Sequence, residues 1–302
     1  MSASADGRRL AATVANPVRN LWTAPITDHV VDESGTARFD LPTVRASAPR
    51  FGPDYILYLS SKRGAQGLWK LKDGSETELW KGSDGLVPFA PAVSADGSQI
   101  AFVALVGGSH HLHLMSSDGT NTRRIAEPLD VADVPSFSPD GKWIAVVARE
   151  KEGRERPLLK VPVDGGLPVR LVEGNNSDPV WSPDGRLILY SEGFGGGVLL
   201  RGVTPDKQAV PMPEIAVPYA GNRYRFMPDG KSVVMFLGQL GQAAQPAPVY
   251  HLPDLATGRI RKLTGLQPGF IEKSFDVSPD GKTILFDRYR ENADVVLIDL
   301  PR

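Results

Sequence analysis

A strand, a tight turn and a second, more apolar strand, spelled Pro135-Ser-Phe-Ser-Pro-Asp-Gly-Lys-Trp-Ile-Ala-Val-Val-Ala148, recur along this chain. That recurrence restricts the fold more than any other feature. The copies are Ser2–Ala12, a degraded Arg50–Tyr58, Val93–Phe102, Trp181–Tyr190, Phe226–Met235 and Val277–Phe286. Between the turn aspartates Asp6, Asp54, Asp96, Asp140, Asp184, Asp229 and Asp280 the spacing is 48, 42, 44, 44, 45 and 51 residues. A period in the forties, built from short strands, is the signature of propeller blades.

One unit reads in full. Strand A is Val134–Ser138. In the Pro-Asp-Gly turn that follows, Pro presets φ and Gly accepts a positive φ. Strand B is Trp143–Ala148, and the charged loop Arg149–Arg156 leads to strand C, Leu158–Val163. After Asp164-Gly-Gly166 comes strand D, Val169–Val172, and Glu173–Ser177 crosses to the next unit. Each such sheet has two apolar faces that it cannot bury alone; stacking sheets around an axis covers both. The expectation is an all-β chain forming a single β-propeller of seven blades, mostly of four antiparallel strands, with six or eight as alternatives. One domain, 1–302, is expected, with repeats at about 1–43, 44–87, 88–130, 131–175, 176–218, 219–268 and 269–302. The last unit ends in its strand C, so how the ring closes is open. A start in mid-repeat suggests a piece of a longer protein.

Of the 302 residues, 34 are basic and 35 acidic, for a formal net charge of −1. No global field favours nucleic acid or an anionic membrane. The absence of cysteine excludes disulfides, thiolate metal sites and thiol nucleophiles. No window of 18 or more apolar residues exists, so no membrane insertion is expected. The N-terminal stretch lacks the apolar segment of a secretory signal.

The Ser-Pro-Asp-Gly-Lys copies resemble the repeats of TolB-type propellers, the PD40 or WD40-like repeat family, which also form the propellers of prolyl oligopeptidase relatives. The opening Ser4–Ala15 and the ending Glu291–Pro301 are similar to the C-terminal propeller halves of large bacterial serine/threonine kinases and winged-helix regulators. The resemblance implies a sensor or binding part of a larger protein, extracytoplasmic if that protein is a membrane-bound kinase. No kinase motifs are present: no phosphate loop, no His-Arg-Asp, no Asp-Phe-Gly.

No catalytic set emerges. The turn aspartates Asp6, Asp96, Asp140, Asp184, Asp229 and Asp280 are expected to cap their own turns. A Gly-x-Ser-x-Gly elbow is absent. In the cluster Gly107–His113, His111 and His113 share one face if strand C begins there, but spacing names no third ligand for such a two-His site, so no metal and no cofactor are expected. A channel-lining set for a metal-dependent propeller hydrolase or lyase would draw on Glu173, Asn175, Asn176, Asp178, Asn222 and Glu272. The B–C loops and D–A crossovers share one end of the propeller, and that end collects arginines and aromatics, the residues that interfaces favour. The expected binding face comprises Arg149, Arg154, Tyr219, Arg223, Tyr224, Phe270, Arg288 and Tyr289. The expected function is non-catalytic recognition of a protein, peptide or small ligand there, by a monomer.

Overall fold

The computed structural model describes residues 2–3, 9–15, 18–42, 45–149, 155–193, 198–217, 224–237, 249–267, 274–290 and 293–299. Among these, six antiparallel sheets carry the A–B–C–D order of a propeller blade. Blade 1 is Ala46–Phe51, Ile56–Ser60, Gly67–Lys72 and Ser75–Trp80. Blade 2 is Ala92–Val93, Gln99–Val106, Ser109–Ser116 and Arg123–Arg124. Blade 3 is Ser136–Phe137, Trp143–Arg149, Leu158–Pro162 and Val169–Val172. Blade 4 is Asn176–Trp181, Ile188–Glu192, Val198–Val203 and Ala209–Val210. Blade 5 is Tyr224–Phe226, Val233–Leu237, Val249–Pro253 and Ile260–Lys262.

Blade 6 is composite. Its strands A and B, Phe275–Val277 and Thr283–Arg290, come from the end of the chain, and its strands C and D, Val18–Pro25 and Ala37–Arg38, from the beginning. The single all-β propeller is therefore present with six blades, the alternative count, and not seven. Counting turns tallied the first and last units separately, whereas strand B of the last unit takes strand C of the first. The strands left over, Ser2–Ala3, Arg9–Ala15 and Ala293–Asp299, pair in a separate three-stranded sheet. Pairing runs Arg9 with Asp299 to Ala15 with Ala293, then Val18 with Arg290 to Pro25 with Thr283, so both ladders share one register.

Strand period explains the packing. In blade 3, Ile144, Val146 and Ala148 pack toward blade 2 with Val103 and Leu112, while Ala145 and Val147 pack toward blade 4 with Trp181 and Ile188. Alternate residues of one strand thus serve two interfaces. Further buried clusters fill the junctions between blades 1 and 2, 4 and 5, and 5 and 6. The last, Leu21 and Leu285 against Ala46, Tyr58 and Trp69, joins blade 6 to blade 1 and closes the ring.

The Ser-Pro-Asp-Gly turns are self-contained networks. Ser138 Oγ donates to Asp140 Oδ1 at 2.6 Å and accepts from Trp143 N at 3.0 Å, while Asp140 Oδ1 also accepts from Lys142 N at 3.1 Å. The same pattern holds at Asp96, Asp184 and Asp280. In each of these the serine hydroxyl is the main cause holding the carboxyl below its ordinary value. Asp229 follows Met227 and keeps only the backbone half, Lys231 N to Oδ1 at 2.9 Å. Asp6 lies outside the described residues.

Successive turns also touch. Gly97 has φ +71°, and a Cβ there would meet Pro53 Cγ of the preceding blade at 2.3 Å; Gly141 has φ +69° with open space around it. Both glycines satisfy the turn, but Gly97 is additionally required by its neighbour. Gly141→Ala is expected to cost about 1 kcal/mol from backbone strain alone. Gly97→Ala should cost roughly 1–3 kcal/mol more through overpacking, read as the difference in urea midpoints of the two variants.

A clasp reinforces the composite blade. Val31–Asp32 pairs in parallel with Thr264–Gly265 beside blade 5. The next residue, Glu33, takes both terminal nitrogens of Arg288, whose exposure is 2%, and accepts from Gln267 N at 3.1 Å. The Arg288 guanidinium lies 5.0 Å from the Trp22 ring. Its hydrogen bond to Glu33 holds that carboxyl below its ordinary value, against the opposing cost of burial. A depressed carboxyl stabilises the fold fully above its unfolded pKa and loses that contribution as pH falls through the folded one. Glu33→Gln should therefore lose about 2 kcal/mol at neutral pH. Denaturant titrations at several pH values should show the gap to wild type closing below about pH 4.

Candidate functional site

The A strands surround the axis. The residue four places before each turn aspartate points inward, and Arg50, Ala92, Ser136, Val180, Arg225 and Asp276 together line a cavity of about 160 Å³. Three consecutive members of this ring are charged. Arg50 is buried and donates to Pro49 O at 2.6 Å and Phe275 O at 2.9 Å. Burial, then the charge of Arg225, pushes its pKa down to about 9, against the pull of Asp276, Asp178 and Asp287. Asp276 sits between the arginines: Oδ1 is 3.7 Å from Arg225 Nε, and Oδ2 accepts from Phe51 N at 2.8 Å. This waist is an internally compensated Arg-Asp-Arg set.

Above it, where the A strands begin, a cavity of about 580 Å³ opens between the B–C connections and the D–A crossovers. Ser47, Asp133, Ser177, Ser274 and Asp287 contribute polar groups, and Leu86, Pro88 and Phe89 an apolar wall. Its carboxylates brace backbone. Asp133 accepts from Val134 N at 2.8 Å and from Asp178 N, in the next blade, at 3.0 Å. Asp287 accepts from Ser274 N at 2.9 Å and from Ala48 N, again in the next blade, at 3.0 Å. The two residues reached across the blade boundary, Asp178 and Ala48, have φ of 51° and 52°. Both sit where strand A shifts register, so each acid holds a bulge that an L residue disfavours.

Residues 46–210, over half of the chain, match the family described as the TolB beta propeller domain. The chain belongs to the TolB β-propeller family. Over 99 residues it is 29% identical to the Tol-Pal system protein TolB of Desulfosudis oleivorans, covering 33% of this chain and 22% of that protein. The match thus spans about a fifth of the relative's length. TolB of Agrobacterium tumefaciens shares the fold at a TM-score of 0.69 and 20% identity, over 91% of this chain and 99% of that one. A manganese-bound oligogalacturonate lyase superposes at a TM-score of 0.55 and 13% identity, over 86% and 77%.

Within this TolB-family propeller the expected binding face divides. Arg149 is exposed and lies 3.5 Å from Asp130. Tyr289 is half-buried, with the Arg19 guanidinium 4.8 Å from its ring. Tyr224 and Arg288 are interior. The Tyr224 hydroxyl donates to Asp178 O at 2.6 Å and accepts from Ser191 Oγ at 3.2 Å, tying blade 5 to blade 4. Arg288 belongs to the clasp. Both are corrected from binding to structural positions: the hydroxyl and the guanidinium are buried with partners supplied from elsewhere in the chain. Arg154, Tyr219, Arg223 and Phe270 lie outside the described residues.

The candidates for metal chemistry do not converge. His110 Nδ1 is 3.2 Å from Asp130, and His113 stacks on Phe102 at 5.2 Å. Glu173 pairs with Arg170 at 2.8 Å, and Asn176 Nδ2 donates to Glu173 O at 3.0 Å. Asn222 and Glu272 lie outside the described residues. Among the described residues no three His, Cys, Asp or Glu side chains could hold a metal ion together.

The mouth includes Arg156, which the sequence places on this loop face, and also residues that sequence reasoning missed, Arg19, Asp133 and Asp287. Asp133 and Asp287 carried a signal, being lone acids beside an apolar A strand and inside an apolar B strand. The waist yields the prediction here. Asp276→Ala strands two arginines and should cost about 3–5 kcal/mol. Adding Arg50→Met should recover a large part of that loss, a coupling read by a double-mutant cycle in denaturant.

Proposed function

We propose that this chain is a non-catalytic recognition propeller, the binding part of a larger protein, which takes a protein or peptide segment at the channel mouth. The observation that carries this is the 580 Å³ opening, walled by apolar Leu86, Pro88 and Phe89 and by polar groups from several blades. Concave sites that mix an apolar wall with a few fixed polar groups are where ligands bind. Carboxylates committed to bracing bulges make the rim a preorganised receptor, not a set of free acids and bases. Membership of the TolB family supports the reading, as does the relative's name, which ties it to the Tol-Pal system. The protein is taken to act as a monomer.

The alternative is a metal-dependent hydrolase or lyase. Its support is the likeness to the manganese-bound lyase, which at 13% identity reaches the fold alone. The recognition reading is tested with peptides selected from a displayed random library on the immobilised protein. Pro88→Trp places an indole in the mouth, and it should weaken the selected peptides about tenfold or more while leaving the melting temperature unchanged. Peptides that bind this variant as tightly as wild type would place recognition elsewhere.

A further inference from the structure

The charged groups of the mouth are unevenly partnered. Asp133 and Asp287 each use both carboxylate oxygens on backbone N–H groups. The arginines do not follow suit. Arg19 and Arg156 line the main cavity, and Arg19 and Arg45 line an adjoining one of about 320 Å³. Arg19 and Arg45 are held side by side by a parallel bridge between strand C of the composite blade and the start of blade 1. Arg156 is set by its own bridge to Asn175. Elsewhere, surface arginines are neutralised, as in Arg63–Glu78, Arg170–Glu173 and Arg201–Glu192. Among the described residues, none of Arg19, Arg45 and Arg156 makes an ion pair with a carboxylate; Arg19 rests on the Tyr289 ring.

We infer that these three guanidiniums are a receptor for the carboxylates of an acidic peptide segment. This rests on the recognition reading above and names the chemistry of its ligand. Guanidinium forks match carboxylates in geometry, and such charge-assisted bonds are the strong ones in a partly desolvated cleft. The two cavities share Arg19, so the cationic groups are spread along a path longer than one small anion needs. The apolar wall, with Leu86 39% exposed, suits intervening apolar side chains better than a fully hydroxylated sugar chain.

The test is calorimetric titration of the intact chain with two blocked hexapeptides, one alternating Asp and Leu and one alternating Asn and Leu. At low salt the acidic peptide should bind about tenfold or more tightly than its amide twin, an advantage that shrinks as salt rises. Arg45→Ala with Arg156→Ala should abolish that advantage, the double Lys variant should keep part of it, and both should melt as wild type does. Arg259→Ala, an exposed arginine in a turn at the opposite end, should change nothing. Equal binding of the two peptides, both weakened by Pro88→Trp, would overturn the anion receptor and leave mouth recognition standing. Equal losses in the double Ala and Arg259→Ala variants would reduce the effect to net charge and overturn it too. So would binding of trigalacturonate that the double Ala variant abolishes, with no binding of the acidic peptide up to millimolar concentration.

Discussion

Burial of both faces of every B strand is the constraint on which the rest of this structure depends. Residues such as Ile144, Ala145, Val146 and Val147 are all inaccessible, though they point alternately to opposite sides. A sheet with that requirement needs a neighbour on each side, and a row of such sheets leaves two greasy ends unless it closes. The six interface clusters are the closed solution, and the junction of blade 6 with blade 1 is the one a linear row would lack. Closure in turn crowds the A strands onto an axis, where there is room only for short or internally compensated side chains. The Arg50, Asp276 and Arg225 set is a consequence of that crowding: two guanidiniums fit because a carboxylate stands between them and backbone carbonyls accept from one terminal nitrogen of each.

The composite blade shows how a ring is held when its seam is not covalent. Four strands drawn from both chain ends supply the ladder, and the clasp adds a charge pair spanning 255 residues of sequence. A pair so remote acts after both ends have docked. Its contribution is therefore concentrated on the seam, where ring opening would begin.

Much of this was legible in the repeat. The Ser-Pro-Asp-Gly spelling encodes its own hydrogen-bond network, and the network is local, so a reader of one copy can foresee the others. The blade's strand order is likewise carried by turn chemistry and alternation. What stayed hidden is non-local. No pattern says that Thr283–Arg290 pairs with Val18–Pro25 and not with the strand that follows it, because either partner offers an acceptable antiparallel ladder. Composition also misled at the binding face. Tyr224 and Arg288 look like interface residues, yet Asp178 O and Glu33 satisfy their polar ends inside the protein. Of the arginines that do open onto the mouth, Arg156 is marked by its place in the B–C loop, whereas Arg19 and Arg45 carry no distinguishing sequence mark; their setting comes from a bridge between blade 6 and blade 1.

The two ends of the propeller have been given different work by the same aspartate chemistry. At the turn end, Asp96, Asp140, Asp184 and Asp280 are each satisfied by the serine hydroxyl and the backbone of their own turn. At the mouth, Asp133 and Asp287 reach across to the next blade and hold Asp178 and Ala48 in a conformation those residues avoid. Strain of that kind persists only when the surroundings over-determine it. At the turn end the A–B turns leave positive φ to glycine, while Asp73, Asn121 and Lys207 adopt it in the C–D turns. Bracing the rim with acids fixes its shape by tying every carboxylate oxygen to backbone, while Arg19, Arg45 and Arg156 make no ion pair among the described residues. A recognition surface built in this way can be rigid and selective without any residue being reserved for chemistry.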